Sequence, residues 1–256
     1  MKKLNVKYVI LFFVSVLVLT SCMGERGNKQ TGSAVGVVRF DTKTFKNVLD
    51  VTETDAFFWI GFDQVSTGVC LFVDYEIDYD APENSYESVL ANGYLTVIIT
   101  KKEVVDNFDM AYSVSDTSII MKDEVTIYEP VLGKEFYYVK GMAFFYSVVD
   151  VPNKQDLYWS LSCNIQDIVK TENGVRYYDV YLRCYKIFPI RTESSEKRYC
   201  LNAYDMKSYF EKIAREENNL GSDTFKLRIN YPSTINDDQI TWSQVTIENI
   251  PVVTFE

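Results

Sequence analysis

The sequence predicts a mainly β protein that has two domains and one helix. Apolar and polar residues alternate with a period of two over about a dozen short segments separated by turn-forming residues. Aromatic residues make up 15% of the chain, and their rings pack well on pleated surfaces. The strand-like segments do not alternate with long helical stretches, which argues against a parallel βαβ architecture.

The N-terminal segment has the layout of a secretory signal peptide. Lys2, Lys3 and Lys7 accompany a short apolar run over residues 9–19, which is too short for a stable membrane span. The run ends in LTSC at residues 19–22, which resembles a bacterial lipobox. We therefore predict a signal peptide over residues 1–21 and lipidation of Cys22. The alternative is an ordinary signal peptide followed by an incidental cysteine.

Residues 22–33 are polar and contain glycine, so they predict a flexible tether after the lipidated cysteine. Removal of residues 1–21 takes away three lysines and no acid, which changes the formal charge from −10 to −13. Phosphate backbones and anionic headgroups should repel such an acidic body. We therefore expect no nucleic-acid partner, and we expect membrane attachment through the lipid on Cys22.

Strand-like alternation continues through the rest of the chain. The predicted strands cover residues 34–40, 45–51, 56–62, 69–79, 94–100, 119–128, 136–149, 157–169, 175–188, 197–201, 224–231 and 240–254. The polar stretch 106–117 lacks a sustained period and is the best domain boundary. It separates a first domain at residues 34–105 from a second at residues 118–256.

One helix is predicted at residues 206–217. Asp205 is a candidate N-cap. An apolar stripe on one side of the helix would be formed by Tyr209, Phe210, Ile213 and Ala214.

The sequences of four predicted strands resemble those of NigD-like lipoproteins of Bacteroides and relatives. They are GVCLFVDYEI at 68–77, YLTVIITK at 94–101, YDVYLR at 178–183 and FKLRINY at 225–231. Together with the lipobox and the tether, the resemblance covers most of the mature chain. It implies a small OB-like barrel at residues 34–105 followed by a β-sandwich at 118–256. The family brings no established catalytic residues.

The composition restricts catalytic chemistry. The chain contains no histidine, which removes Ser-His-Asp and Cys-His catalysis and His-ligated metals. No nucleotide-binding or hydrolase motif occurs in its proper context. We therefore predict a non-enzymatic protein without cofactor or metal, attached to the outer membrane and facing either the periplasm or the cell surface. It would act as a binding or interaction module for a protein or glycan ligand.

The alternative function is a carboxylate-dependent, carbohydrate-active hydrolase. Such an enzyme needs a pair of carboxyl groups, and the candidate pairs are Asp78 with Glu87 and Glu172 with Asp179. With 36 acidic residues in the chain, coincidental pairs are expected.

Two further patterns have a structural and a functional interpretation. One face of a predicted strand carries four acids, Asp74, Glu76, Asp78 and Asp80. They form either a solvated face or a cation site. An aromatic group could be sandwich core or a surface on which sugars stack. Its members are Phe136, Tyr137, Tyr138, Phe144, Phe145, Tyr146, Trp159 and Trp242.

The cysteines give the last prediction. Cys22 is assigned to lipid, which leaves Cys70, Cys163, Cys184 and Cys200. Asn173-Gly174 predicts a two-residue hairpin in which Glu172 faces Val175. If that register continues, Cys163 faces Cys184 at a distance that a disulfide can span. We expect the two to be neighbours, either as a disulfide or as two buried thiols.

Overall fold

The computed structural model describes residues 27–113, 117–130, 137–190, 194–236 and 239–252. The predicted signal peptide, the lipobox and Cys22 lie outside these residues. The strands are β1 (Lys29–Asp41), β2 (Lys46–Asp50), β3 (Ala56–Phe58), β4 (Cys70–Asp78), β5 (Leu95–Thr96), β6 (Ile98–Asp109), β7 (Ile127–Glu129), β8 (Tyr137–Val139), β9 (Met142–Pro152), β10 (Asp156–Ser162), β11 (Val169–Glu172), β12 (Val175–Ile187), β13 (Ser195–Asp205), β14 (Thr224–Asn236) and β15 (Gln239–Pro251). The helices in the described part are α1 (Tyr86–Asn92) and α2 (Lys207–Leu220). The predicted mainly β class is confirmed.

The strands form two sheets. The larger sheet has the order β5-β3-β2-β1-β4-β6-β13-β9-β7, with β8 also paired to β9. The smaller sheet has the order β10-β12-β14-β15, with β11 also paired to β12. The N-terminal strands enclose a core that contains Val38, Leu49, Phe57, Phe62, Leu71, Val73, Ile77 and Val97. The second core lies between the two sheets and is closed by α2.

Strand β6 joins the two halves of the molecule. Its N-terminal part pairs with β4, and its last residues pair in parallel with β13, where Asn202 lies opposite Asp106. The predicted boundary at residues 106–117 therefore begins inside a strand. A small apolar cluster that includes Val35, Val105 and Phe144 packs at this junction. The two halves are thus connected by a continuous sheet as well as by the chain.

Strand β1 begins at Lys29, five residues before the predicted start. Residues 29–33 pair with the polar end of β4, so that Lys29 faces Asp78 and Ser33 faces Asp74. Their polarity suggested a tether, but they form a ladder whose outer side chains bind each other through an ion pair and a hydrogen bond. The connection between Cys22 and the first strand is correspondingly shorter than predicted.

The two helices compare differently with the prediction. The predicted helix at 206–217 is confirmed as α2, and its stripe of Tyr209, Phe210, Ile213 and Ala214 is buried. Asp205 does not occupy the N-cap position, but its side chain accepts a hydrogen bond from the Lys207 N–H. The short helix α1 was not predicted. Its start is capped locally, because the Ser85 hydroxyl accepts a hydrogen bond from the Ser88 N–H.

The predicted hairpin is confirmed, but the predicted register that places Cys163 opposite Cys184, and with it the disulfide, is wrong. Asn173 and Gly174 both have positive φ, and Glu172 faces Val175. The register does not continue from β11 to β10, because residues 163–168 between these strands leave the ladder, and Cys184 faces Trp159. Cys163 instead donates its N–H to the carbonyl of Ala111. Cys163 and Cys184 are both free, buried thiols in the sandwich core.

Candidate functional site on the outer face of the second sheet

Strand β12 carries two different rows of side chains. One row is buried in the sandwich core and consists of Tyr178, Val180, Leu182 and Cys184. Because side chains alternate across a strand, the other row points away from that core. It consists of Tyr177, Asp179, Tyr181, Arg183 and Tyr185, and we call it the outer ladder. Tyrosines alternate with charged residues along this row, and the charged members are buried although they lie on the outer face.

Arg228 of β14 fixes the first half of the outer ladder. It lies directly opposite Asp179 in the parallel pairing of β14 with β12. Its Nε and Nη2 donate to the two Asp179 carboxylate oxygens at 2.5 and 2.8 Å, and its Nη1 donates to Glu172 Oε1 at 2.7 Å. Hydrogen bonding to Asp179 raises the pKa of Arg228 above its usual value. The guanidinium also lies 4.8 Å from the centre of the Tyr177 ring.

The contacts of Arg228 involve one of the predicted carboxylate pairs. Glu172 and Asp179 are brought together, but both bind the same guanidinium. A glycosidase needs one carboxyl group that is free to give a proton and another that is free to act on water or on the sugar. In the present geometry the arginine donors are directed at both groups. For the other pair, Asp78 lies 3.7 Å from the Lys29 ammonium, and Glu87 lies in the first turn of α1.

Arg183 and Glu124 fix the second half of the outer ladder. Arg183 Nη1 donates to Glu124 Oε2 at 3.4 Å and to the Ile119 carbonyl at 3.2 Å. The Glu124 side chain is 0% exposed, and its burial raises the pKa of the carboxyl group. Its second oxygen, Oε1, is buried without a hydrogen-bond partner in the part of the chain that the structure describes.

Aromatic rings cover these charged groups. The Arg183 guanidinium lies 5.0 Å from the centre of the Trp242 ring, and Tyr181 contacts the same ring edge-on at 5.8 Å. The Trp242 indole N–H donates to the carbonyl of Thr117 at 2.8 Å. Tyr185 stacks with the exposed Tyr158 of β10 at 6.2 Å between ring centres. The outer face is thus a surface of half-buried rings whose positions are fixed by buried ion pairs.

The other members of the predicted aromatic group have mixed positions. Phe144, Phe145 and Trp159 are buried, which fits the interpretation as core. Tyr138 packs on Phe210 of α2, and Tyr137 is exposed. Phe136 lies outside the described residues. Of the aromatic residues predicted as a sugar-stacking surface, Trp242 lies beside the outer ladder.

The predicted acidic stripe lies on the outer side of β4 and binds partners from β1. Glu76 accepts a hydrogen bond from Lys29, Asp74 from Ser33, and Asp80 from the Asn28 N–H. Within the described ranges, no group of three or more His, Cys, Asp or Glu side chains is arranged to hold a metal ion.

The described cysteines are poor nucleophiles. Burial raises the pKa of Cys70 and of Cys163 to about 12, and it also raises the pKa of Cys184 and of Cys200. All four thiols are therefore protonated near pH 7, whereas a nucleophilic cysteine acts as the thiolate.

Sequence reasoning missed Arg228, Arg183 and Glu124. A signal for Arg183 was present, because Asp179 and Arg183 lie on the same face of β12 as the three tyrosines of the outer ladder. Arg228 could be connected to Asp179 only through the parallel pairing of β12 and β14, which joins segments about fifty residues apart.

Comparison with known proteins finds a family match for the N-terminal part of the chain. Residues 26–103 match the family model described as lipoprotein OB domain. This finding confirms the predicted resemblance to lipoproteins that carry an N-terminal OB domain. None of the curated proteins matches the chain significantly.

Two solved structures extend the likeness of fold to most of the chain. An uncharacterized protein from Parabacteroides merdae is 16% identical, with a TM-score of 0.73 over 87% of this chain and 100% of that chain. A candidate lipoprotein from Bacteroides fragilis is 12% identical, with a TM-score of 0.57 over 87% of this chain and 99% of that one. A NigD-like immunity protein from Bacteroides caccae is 11% identical, with a TM-score of 0.45 over 84% and 91% of the two chains.

Within the described residues, no helix has the length and apolarity needed to cross a bilayer.

Proposed function

We propose that this protein is a non-enzymatic binding module of the cell envelope, anchored through lipid on Cys22, and that the outer ladder binds its ligand. The observation that carries the proposal is the alternation of half-buried rings with buried, paired charges on an outward-facing surface. Buried ion pairs hold the rings in place before a ligand arrives. Such preorganisation lowers the entropy that binding costs.

The ligand that suits this surface is an uncharged glycan. Tyrosine and tryptophan offer an apolar ring face together with a polar edge, which matches the two sides of a sugar ring. Arg228 and Arg183 are engaged with Asp179, Glu172 and Glu124, so they offer little attraction to an anionic ligand. A protein ligand is the competing outcome of the test below.

A role without catalysis is supported by the state of the candidate groups. The chain has no histidine, the described thiols are protonated, and the Glu172–Asp179 pair is bound to one arginine. A hydrolase built on these groups would need at least one of them to be free and positioned against a substrate.

The anchor is supported by the LTSC sequence at residues 19–22 and by the match of residues 26–103 to a lipoprotein OB domain. We place the protein on the outer membrane. Replacement of Cys22 (Cys22→Ala) and fractionation test the anchor. The variant should be lost from the detergent phase. If it remains wholly in that phase, the proposed lipid anchor on Cys22 is wrong.

The binding role is tested with the chain lacking residues 1–22, on a glycan array and in a pull-down. Tyr181→Ala should weaken binding of the captured glycan roughly three- to tenfold, because an aromatic contact contributes about 0.5–1.5 kcal/mol. Tyr199→Ala is the matched control, since Tyr199 is an exposed tyrosine on β13 of the other sheet.

Equal binding by the two variants would exclude the outer ladder as the site. Capture of a protein, lost in Tyr181→Ala, would replace the glycan by a protein ligand. If the wild-type protein turns over a glycan and Glu172→Gln does not, the protein is a hydrolase and not a binding module.

A further inference from the structure

The described chain starts at a defined place on the barrel. The Asn28 N–H donates to Asp80 Oδ2 at 3.0 Å, and the Asn28 carbonyl accepts from the Tyr79 N–H at 2.9 Å. The N-terminal segment therefore enters the fold beside the end of β4, next to the loop that leads into α1.

The length of chain between Cys22 and this point is short. Five residue steps separate Cys22 from Gly27, and even a fully extended chain covers at most about 18 Å over that length. If Cys22 carries the lipid anchor proposed above, the end of the barrel around Asp80 lies close to the lipidated residue. This end of the molecule must then face the bilayer.

Helix α1 lies at the same end and exposes apolar side chains. Asn84 fixes the turn before the helix, because its side-chain amide donates to the carbonyls of Asp78 and Thr96. Tyr86 and Leu90 occupy successive turns on one side of α1, and they are 75% and 70% exposed. A leucine and a tyrosine on one helix face are suited to the interface of a bilayer, where the aliphatic group is buried and the phenol stays at headgroup level.

The charges around α1 indicate which headgroups fit. Asp80, Glu83 and Glu87 are exposed beside the apolar face. Lys29 at the same end is already bound to Glu76 and Asp78, so it does not offset these acids. Anionic headgroups would repel this surface.

We propose that Tyr86 and Leu90 of α1 rest on a bilayer of zwitterionic headgroups when Cys22 is lipidated, so that the tether and the helix together orient the protein on the membrane. The inference rests on the proposed anchor, since without the lipid nothing holds α1 near a bilayer.

The test uses the full-length lipidated protein in phosphatidylethanolamine–phosphatidylcholine vesicles. Cys200 is first replaced (Cys200→Ser), because it is the described cysteine that is not fully buried. A nitrobenzoxadiazole label is then attached at Leu90→Cys, or at Phe45→Cys as the matched control. Phe45 is an exposed aromatic residue just beyond the opposite end of β1. Dithionite, which reduces the label from the water side, reports its accessibility.

We expect reduction at position 90 to be several-fold slower than at position 45, and we expect Tyr86→Ser to shorten this delay. The delay should shrink in vesicles rich in phosphatidylglycerol, and the charge-neutral pair Glu83→Gln and Glu87→Gln should restore it. Equal rates at 90 and 45 in protein that floats with the vesicles would overturn the α1 contact and leave the anchor intact. Preparations of the full-length protein that do not float would overturn the anchor itself. An equal delay in Cys22→Ala without vesicles would assign the protection to a second copy of the chain and overturn the membrane contact.

Discussion

Strands β4 and β12 have the same sequence pattern and different outer faces. Both alternate residues that enter a core with an outer row that includes charged residues. On β4 the acids are at least partly accessible and bind single partners on β1, as Glu76 does with Lys29. On β12 the acid is Asp179, which is buried and bound at both oxygens by Arg228.

The difference comes from the neighbouring strands. A lysine such as Lys29 reaches its acid from a solvated position on the end of β1. Arg228 lies in register with Asp179 and is covered by Tyr177, so its ion pair is shielded from water. Exposed ion pairs contribute little to stability, whereas a buried charge that loses its partner is strongly destabilising. The two outer faces should therefore respond very differently to substitution.

The largest expected effect is on Arg228. Arg228→Met leaves Asp179 buried without its partner, and we expect a loss of about 3–5 kcal/mol in the free energy of unfolding. Urea denaturation at pH 7 measures this loss. Removal of both charges in Arg228→Met with Asp179→Leu should recover most of the stability, since no uncompensated charge remains. A loss below about 1 kcal/mol in the single variant would mean that this pair behaves like the exposed pairs of β4.

The second effect concerns Glu217 of α2, which packs beside β12. Burial alone would raise the pKa of this carboxyl group, but hydrogen bonds from Tyr178 at 2.5 Å and Arg176 at 3.0 Å lower it below its usual value of 4.5. Its contribution is therefore present above pH 4.5 and is lost as the pH falls through the lower folded pKa. Glu217→Gln should cost roughly 1.5–3 kcal/mol at pH 7 and much less near pH 3. Unfolding curves at the two pH values check this, and a constant difference would contradict it.

The contribution of Glu124 to stability should depend on pH in the opposite direction to that of Glu217. Burial raises its folded pKa above the usual 4.5, so its contribution is present below pH 4.5 and is lost as the pH rises through the folded value. Glu124→Gln should therefore reduce the fall in stability between about pH 4 and pH 7. Thermal unfolding of the wild type and the variant over this range measures it. A steeper fall in the variant would show that the ion pair with Arg183 outweighs burial.

The smallest effect is expected on β4. Lys29→Met removes the partner of Glu76 and Asp78, both partly exposed, and should change the free energy of unfolding far less than Arg228→Met does. Added salt should reduce this difference further, because it screens exposed charges. Urea denaturation in low and high salt gives the measurement. An effect as large as that of Arg228→Met would remove the distinction between the two outer faces.

The candidate site was only partly predictable. The alternation of β12 predicts that Tyr177, Asp179 and Tyr181 share one face of the strand. The pairing of Glu172 with Asp179 is among the predicted carboxylate pairs. The arginine that joins this pair was not predicted, because the parallel register of β12 and β14 has no local signal. The predicted register of Cys163 against Cys184 was wrong for a related reason. Residues 163–168 leave the ladder, which moves Cys184 opposite Trp159.

Local sequence is sufficient to predict which side chains face a core, where the hairpin at Asn173-Gly174 turns, and which side of α2 is buried. These properties depend on neighbours within a few residues, through side-chain period and backbone preference. The continuation of β6 from β4 to β13 and the contact of Arg228 with Asp179 depend instead on long-range packing. Such pairings join distant segments, and they are selected by the packing of whole sheets and the lengths of connecting loops, which leave no local mark in the sequence.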